Sequence, residues 1–296
     1  WRSEIKLIEA KKLNGGISAN CYLVKIDDQI EEKEVVLRIF GTRALGLRPL
    51  ATKIEFTCLK MLENSLVPAP KALALVTHEG SQAIVMEYRT GHLNTRPKQI
   101  DDFLDSYALE LWKIHQTPIS REFDELIKLE NSNSDDIHQI KDASDFEKFS
   151  SLETRLYMCL RSIEKPSSTK TLLHADYWPG NVLCTDDKVT TVLDWEECCI
   201  GDPYKDLAIA HIDLAFWLDI ESADKFVESY FKESKQKLDN RRMAWWKLFS
   251  CLRPAGGRLP QWAKVYPKIG RSEVTLEYMT KCQSEIGLSA LKSLNH

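Results

Sequence analysis

The stretch LHADYWPGNVL, residues 173–183, and the later stretch VLDWE, residues 192–196, decide the fold. In the first, an apolar segment leads into a loop with Asp176, Pro-Gly turns the chain, and Asn181 precedes a second apolar segment. A further apolar segment delivers Asp194, thirteen residues after Asn181. An amide and a carboxylate brought together in this way can hold Mg²⁺, which prefers oxygen ligands, and Asp176 is left to accept a proton from a hydroxyl. Phosphoryl transfer needs little more, because its catalysis is mainly positioning and charge neutralisation.

The ninety residues before this region have the pattern of short β-strands with one helix. Apolar or alternating segments predict five strands, at residues 5–13, 21–26, 35–40, 72–77 and 83–88. Between the third and fourth, apolar residues from Leu50 to Leu62 recur at helical spacing and predict a helix that ends before Pro68.

After Gly91 the spacing becomes mostly helical. One apolar stripe runs from Phe103 to Ile114, and a second helix is predicted over residues 146–163. The dipeptide Asp202-Pro203 suits the start of another helix, since Asp is a good N-cap and Pro fits the first helical position. We therefore expect an α+β protein whose β-rich part precedes its α-rich part, joined near residues 87–91.

Taken in chain order, these segments resemble the aminoglycoside phosphotransferase and choline kinase-like family, which are small-molecule kinases with a protein-kinase-like fold. H-x-D-x-x-x-x-N at 174–181, followed by D-W-E at 194–196, resembles its catalytic core, and GDPYKDLA at 201–208 looks like its G-D-P-x-x-D-L-A element. The small-lobe segments that look like the family's are GGISAN at 15–20, VLR at 36–38, VPAP at 67–70 and IVMEY at 84–88. Agreement across separate segments is far more specific than any one of them.

The resemblance implies a bilobal protein-kinase-like fold. Residues 1–90 would form a small, mainly β N-lobe that covers the nucleotide, and residues 91–296 a larger, mainly α C-lobe with the catalytic loop, the metal site and the acceptor-binding helices. It also implies Asp176 as the catalytic base and Asn181 and Asp194 as the Mg²⁺ ligands.

The resemblance places the nucleotide, ATP or GTP, against the small lobe. Gly16 and Ser18 lie in the turn that would cover the phosphates. Arg38 would hold the phosphates, with Glu55 as its orienting partner. The backbone near Glu87, Tyr88 and Arg89 would hydrogen-bond to the base. Position 38 is Arg rather than the Lys of protein kinases, although Arg still offers phosphate a bidentate fork.

Several of these residues also have structural interpretations. Gly15-Gly16 could be a plain hairpin turn, and Arg38 with Glu55 could be an ordinary ion pair. We expect Asp202 and Asp206 to be structural supports of the catalytic loop, and His174 and His115 to be packing residues. The bulky pair Tyr177-Trp178 suggests a shaped substrate entrance.

Composition excludes several classes of protein. The 296 residues carry 40 Lys and Arg against 44 Asp and Glu, a net charge of −4, which argues against a nucleic-acid binder or a polybasic membrane binder. No apolar run approaches the roughly 18 residues of a membrane span. The eight cysteines are scattered without a C-x-x-C pair, so we expect reduced thiols in a cytoplasmic protein.

The acceptor stays open at this level. Residues 194–224 carry nine acids against one base, and six of the eight tryptophans lie between residues 178 and 262. Acids beside aromatic faces suit a cationic or polyhydroxylated acceptor such as an amino sugar or a choline-like amine. Residues 241–271 carry eight bases and no acid, so they could neutralise those acids or bind an anionic acceptor.

The sequence therefore predicts an ATP- or GTP-dependent kinase that phosphorylates a hydroxyl of a small molecule. A protein kinase is rejected, because only seven residues separate Asp194 from Asp202 and leave no room for a long activation segment. The alternative is a nucleotide-binding pseudokinase that acts as a regulator or scaffold, although the predicted base and both metal ligands are present.

Overall fold

An antiparallel five-stranded sheet forms the N-terminal part of the computed structural model, which describes residues 5–13, 19–41, 48–130, 146–167 and 169–294. Its strands are β1 (Lys6–Lys12), β2 (Ala19–Asp27), β3 (Glu32–Phe40), β4 (Ala72–His78) and β5 (Ser81–Glu87), in the order β1-β2-β3-β5-β4. Since β3 is central, Arg38 lies between Cys21 on β2 and Ile84 on β5. The five strands predicted from the sequence are confirmed.

Helix α1 (Ala51–Leu62) packs against this sheet through the face that carries Ile54, Cys58 and Leu62. Glu55 lies among these apolar residues and is 1% exposed. A carboxylate is rarely buried so completely without a partner, so its position requires a cation nearby.

The C-terminal part is helical, with α5 at its centre. Its helices are α2 (Ile100–Gln116), α3 (Arg121–Glu130), α4 (Ser151–Ser162), α5 (Pro203–Trp217), α6 (Ile220–Ser234), α7 (Asn240–Leu252), α8 (Leu259–Ala263) and α9 (Leu276–Leu294). Every residue of α5 after Pro203 is buried, because α6, α7 and α9 pack around it. The helix predicted over 146–163 begins at Ser151, where Ser150 and Glu153 form a capping box, and α3 was not predicted.

Two small antiparallel sheets frame the loop of residues 174–181. Strand β6 (Thr171–Leu173) pairs with β9 (Cys199–Gly201), and β7 (Val182–Thr185) pairs with β8 (Lys188–Val192). The apolar segments before the loop and before Asp194 are β6 and β8, and each pairs with a further strand, β9 and β7. Each end of the loop is therefore fixed to a paired strand.

Gly91 lies where the chain passes from the sheet to the helical part. It has φ of +147°, and a Cβ there would lie 2.8 Å from Cβ of Leu183. The next residue, His92, exchanges backbone hydrogen bonds with Cys184, at 3.0 and 2.8 Å. Only glycine allows the connection to pass so close to β7.

One apolar core joins the two parts, from Phe40 and Ile54 in the first to Trp217 and Trp245 in the second. The α+β class with its β-rich part first is confirmed, while the division at residue 90 stays a prediction. All eight cysteines are free thiols. In the described ranges, none of the helices combines the length and the apolar character that crossing a bilayer requires.

Candidate active site

Asn181 brings the three polar residues of the catalytic loop together. Its Nδ2 donates to Oδ2 of Asp176 at 3.1 Å and to the backbone oxygen of Asp176 at 3.0 Å. Its backbone oxygen accepts from the N–H of Leu193 at 2.8 Å, which places Asp194 beside it. The structure therefore brings Asp176 and Asn181 together and places Asp194 on the segment bonded to Asn181, while their catalytic roles stay predictions.

Asp206 anchors the start of this loop from helix α5. Its carboxylate accepts from the backbone N–H groups of His174 and Ala175, both at 2.8 Å. Ala175 has φ of +62°, a left-handed conformation that costs an L-residue about 1–2 kcal/mol. The two charge-assisted hydrogen bonds hold the backbone in this conformation, so the expectation that Asp206 supports the loop is confirmed.

Asp206 is itself fully buried and is held in its charged form. Burial works against the charge, but hydrogen bonds, including those from the His115 side chain and the His174 backbone, lower the pKa of Asp206 overall. His115 lies 3.3 Å from the carboxylate and makes a 2.7 Å hydrogen bond with the hydroxyl of Tyr230. His115 is thus part of the support and not of the reacting surface.

His174 is buried and positions the backbone of Asp176. Its Nε2 donates to the backbone oxygen of Leu193 at 2.8 Å, and its Nδ1 accepts from the N–H of Asp176 at 3.3 Å. Because one ring nitrogen donates and the other accepts, the imidazole has the pattern of its neutral tautomer. His174 is a packing residue, as expected.

Arg38 joins the sheet to the catalytic loop. Its Nη2 lies 2.6 Å from a carboxylate oxygen of Asp194 and 2.6 Å from one of Glu196. Its Nε lies 3.4 Å from Oε2 of Glu55. The predicted pair of Arg38 and Glu55 is therefore brought together inside the protein, with Arg38 only 7% exposed.

Burial and neighbouring charges affect the pKa values of Arg38 and Glu55 differently. Burial alone would lower the pKa of Arg38, but the three surrounding carboxylates raise it, so the guanidinium stays charged. Burial raises the pKa of Glu55 to about 7, although Arg38 acts in the opposite direction. Neither Nε of Arg38 nor Oε2 of Glu55 makes a hydrogen bond within the described ranges, so this contact is an ion pair without hydrogen-bond geometry.

Asn181 and Asp194 fit a divalent cation by the chemistry of their donors. Asn181 uses its amide nitrogen in hydrogen bonds to Asp176, so its amide oxygen keeps the lone pairs that a hard cation binds. Asp194 uses one oxygen for Arg38 and is one third exposed. Within the described residues, no cluster of three or more His, Cys, Asp or Glu side chains could hold a metal, so the pair would need ligands from a substrate or water.

A cavity of about 300 Å³ lies at the end of β5. It is lined by Glu87, Tyr88 and Arg89 on one side and by threonines of β7 and β8 on the other. Arg89 lies 3.4 Å from the carboxylate of Glu87. The three residues predicted to contact the nucleotide base thus line one cavity. The predicted phosphate turn with Gly16 and Ser18 lies outside the described residues.

Arg253 is the main site residue that the sequence did not identify. At the end of α7, its Nη2 lies 2.9 Å from Oδ1 of Asp176 and its Nη1 lies 3.3 Å from Oδ2 of Asp213. Its guanidinium carbon is 5.3 Å from the ring centroid of Trp262. Burial raises the pKa of Asp213 to about 7, against the effect of Arg253. The only signal for Arg253 in the sequence was the run of eight bases at 241–271, and nothing in that run distinguishes Arg253 from the other seven.

A larger cavity, of about 1130 Å³, opens beside Asp176 in the helical part. It is bordered by Ala175, Asp176 and Arg253 and extends toward α3 and α8. Tyr177 and Trp178 are not among its lining residues, which corrects the suggestion that they shape the substrate entrance. Tyr177 is fully buried and exchanges hydrogen bonds with Tyr107, and the ring of Trp178 covers Gly180 so closely that a Cβ there would lie 2.2 Å from it.

Asp202 has a different role from Asp206. It caps α5 by accepting from the N–H of Tyr204 at 2.9 Å, and it pairs with Arg242 and the indole N–H of Trp246, both on α7. The expectation that it supports the catalytic loop is wrong, since its hydrogen bonds join two helices.

Comparison with solved structures shows the fold. A thermostable mutant of aminoglycoside phosphotransferase APH(4)-Ia, in a ternary complex with ADP and hygromycin B, is 15% identical, with a TM-score of 0.63 over 97% of this chain and 94% of that chain. Spectinomycin phosphotransferase APH(9)-Ia, in complex with ADP and spectinomycin, is 15% identical, with a TM-score of 0.61 over 96% and 94%. Amicoumacin kinase hAmiN, in complex with AMP-PNP, Ca²⁺ and Ami, is 12% identical, with a TM-score of 0.61 over 93% and 88%. The predicted bilobal kinase-like fold is confirmed.

Sequence comparison shows the family. A search of curated proteins returns no match. The profile of the phosphotransferase enzyme family matches residues 9–246, which is most of the chain and includes the catalytic loop. This match confirms the enzyme class predicted from the sequence, a phosphotransferase with an alcohol group as acceptor. The chain belongs to the phosphotransferase enzyme family.

Proposed function

We propose that this protein transfers the γ-phosphoryl group of ATP or GTP to a hydroxyl of a small molecule, with Asp176 as the catalytic base. The observation that carries the proposal is the bonding of Asn181, which joins Asp176 through its side chain and the segment of Asp194 through its backbone. A base and two oxygen ligands at one point are what phosphoryl transfer requires.

Asp176 would accept a hydrogen bond from the acceptor hydroxyl and take its proton as the new phosphorus–oxygen bond forms. Asn181 fixes one carboxylate oxygen of Asp176, so the base is held in one orientation before the substrate arrives. Orientation of this kind accounts for a large share of the rate in such reactions.

Arg38 would hold the phosphates of the nucleotide from the side of the sheet. Its Nη2 is bonded to Asp194 and Glu196, which leaves other N–H groups of its fork for phosphate oxygens. Glu55 keeps the guanidinium in place from behind. Bound at Asn181 and Asp194, Mg²⁺ would supply neutralisation of phosphate charge.

The nucleotide base would occupy the 300 Å³ cavity beside Glu87, Tyr88 and Arg89. Structures of similar fold that contain ADP or AMP-PNP support a nucleotide as co-substrate. The acceptor would enter the larger cavity, which reaches the opposite side of Asp176.

The test compares wild type with Asp176→Asn. Binding of Mg-ATP and Mg-GTP is measured by calorimetry, and turnover is measured with amino-sugar antibiotics, macrolides, choline, homoserine and simple sugars. We expect both proteins to bind nucleotide, and acceptor-dependent turnover to fall at least about 100-fold in the variant, since general bases contribute roughly 10²–10⁴. Asp186→Asn, on the exposed turn between β7 and β8, is the matched control.

Absence of nucleotide binding in wild type would refute the proposal. Nucleotide binding with acceptor-dependent turnover that is unchanged in Asp176→Asn would remove Asp176 from the reaction. Nucleotide binding without acceptor-dependent turnover in wild type would favour the pseudokinase alternative.

A further inference from the structure

One part of the lining of the 1130 Å³ cavity, here called the basic wall, carries several cations. Five cationic side chains line this wall: Lys165, Lys170, Lys205, Arg253 and Arg258. They come from the segment before β6, from α5 and from the chain that follows α7. Segments distant in sequence therefore converge on one positively charged surface beside the predicted base.

The acids on the same wall are already paired. Asp176 is bonded to Arg253 at 2.9 Å, and Asp202 is bonded to Arg242 at 2.5 Å. A cationic acceptor would have to displace an arginine to reach either carboxylate. Of the acids of 194–224, Glu197 and Asp202 line this cavity and each is paired with an arginine, which argues against their binding a cationic acceptor.

The opposite wall, toward α3, is balanced by its own ion pairs. Arg48 lies 3.3 Å from Glu130 and 2.9 Å from Glu197, and Lys128 lies 2.5 Å from Asp124. Charge on that side is therefore neutralised locally.

Arg258 is the clearest cation of the basic wall. It is half-buried and its Nε donates to the backbone oxygen of Ala255 at 3.2 Å. Across the ranges that the structure describes, no carboxylate lies within ion-pair distance of its guanidinium. Burial, and then the like charge of Arg253, lower the pKa of Arg258, while the more distant carboxylate of Glu153 acts in the opposite direction without forming an ion pair.

Aromatic rings also line this cavity. Trp246, Phe249 and Trp262 border the same cavity, and Arg253 lies over the ring of Trp262. An acceptor with an anionic end and a carbon skeleton would match both kinds of surface.

We propose that the acceptor is a hydroxylated anion whose carboxylate or phosphate group binds Arg258 and Arg253. The inference rests on the proposed function and names the substrate class of the same site. When the anion engages Arg253, the pair of Arg253 and Asp176 is loosened, and the freed Oδ1 of Asp176 faces the acceptor hydroxyl. The hydroxyl oxygen then bonds to the γ-phosphorus, its proton passes to Asp176, and the bond from the γ-phosphorus to the β,γ-bridging oxygen breaks to release the nucleoside diphosphate.

The first experiment measures binding. Mg-AMP-PNP is titrated into the protein by calorimetry, and inorganic phosphate is then titrated into the complex, in which the γ-phosphate position is already filled. We expect wild type to bind phosphate, Arg258→Gln to bind it at least about tenfold more weakly, and Lys268→Gln to match wild type. Lys268 is an exposed base of the same 241–271 run that does not line the cavity, so it is the matched control.

The second experiment measures turnover with four acceptors of one skeleton: glycerol, glycerate, glycerol 3-phosphate and 2-amino-1,3-propanediol. We expect nucleoside diphosphate formation to be stimulated by glycerate, by glycerol 3-phosphate or by both. Comparison of these two acceptors distinguishes recognition of a carboxylate from recognition of a phosphate. In Arg258→Gln the KM for the anion should rise at least about tenfold, with a smaller change in kcat.

The outcomes separate this inference from the proposed function. Failure of Mg-AMP-PNP to bind would refute the proposed function, and phosphate is then titrated into the free protein to judge the anion site alone. Nucleotide binding with no phosphate binding, equal phosphate binding in Arg258→Gln, or preferred turnover of 2-amino-1,3-propanediol would overturn the anionic acceptor. If Arg258→Gln does not fold, Lys170→Gln, on an exposed segment of the same wall, should still weaken phosphate binding about threefold, and no weakening would count against the proposal.

Discussion

Two buried arginines flank the catalytic loop, one from the sheet and one from the helices. Arg38 bonds to Asp194 and Glu196 and lies beside the buried Glu55. Arg253 bonds to Asp176 and lies 3.3 Å from Asp213. Each arginine thus ties the loop to a different part of the fold.

The two arginines differ in the charges that surround them and in their exposure to solvent. Arg38 is surrounded by three carboxylates and is 9% exposed at its side chain, whereas Arg253 has two carboxylates and is 20% exposed. Arg38 therefore lies in excess negative charge, and Arg253 lies next to the like charge of Arg258. On the sheet side of the loop three carboxylates therefore surround one arginine, while on the helical side two carboxylates lie near two arginines.

The largest effect is expected from Arg38→Met. Removing this cation leaves Glu55 buried without its partner, so the free energy of unfolding should fall by about 3–5 kcal/mol, as measured by urea denaturation. The control is Lys33→Met, on the same strand as Arg38. It breaks the surface pair of Lys33 with Asp28 and should lower the free energy of unfolding by less than about 1 kcal/mol. Equal losses in the two variants would show that the Arg38 cluster contributes no more to the free energy of unfolding than a surface ion pair.

Arg253→Met should have a smaller effect on the same measurement, about 1–3 kcal/mol. Arg253 has two carboxylate partners where Arg38 has three, and one of the two, Asp176, is one third exposed, so water can solvate it. Arg96→Met, which breaks an exposed pair with Glu273, is the control. A loss as large as that of Arg38→Met would remove the difference between the two arginines.

The pH dependence of stability tests a feature common to the surroundings of Arg38 and Arg253, which is a buried acid with a raised pKa. Burial raises the pKa of both Glu55 and Asp213 to about 7, so the folded state binds more protons than the unfolded state between pH values of about 4 and 7. Each group therefore lowers the free energy of unfolding as the pH rises through this window, by up to about 1.4 kcal/mol per pH unit.

Glu55→Gln and Asp213→Asn should each flatten the pH profile in that window relative to wild type, as measured by denaturation at several pH values. Profiles that stay parallel to wild type would contradict the assignment of a raised pKa to that residue.

The smallest effect concerns the loop between the arginines. Ala175→Gly removes the cost of a left-handed Ala but adds freedom to the unfolded chain, so we expect a gain of less than about 1 kcal/mol in unfolding free energy. The same substitution at Ala108, inside helix α2, should cost roughly 1 kcal/mol. A loss at Ala175 similar to that at Ala108 would show that the loop carries no strain that glycine relieves.

Much of the sheet and of the catalytic loop could be predicted, because local patterns determine them. The strands follow from short apolar segments, and the positions of Asp176, Asn181 and Asp194 follow from spacing within a short stretch. The roles assigned to these residues stay predictions, and so do those of Glu87, Tyr88 and Arg89.

Arg253 could not be predicted, because its contact with Asp176 depends on how α7 packs against α5. Since all of α5 after Pro203 is buried, its sequence lacks the one-sided apolar pattern that would reveal its neighbours. Asp202 and Asp206 show the same limit, because they lie four residues apart in similar sequence but bond to different partners.

The contacts of Arg38 also bear on how fast the protein unfolds. Arg38 is separated from Asp194 and Glu196 by 156 and 158 positions along the chain. Pairs that close such long loops form late in folding, after both parts are in place, so their loss accelerates unfolding more than it slows folding. The ion pairs that align the catalytic loop therefore also prolong the lifetime of the folded chain.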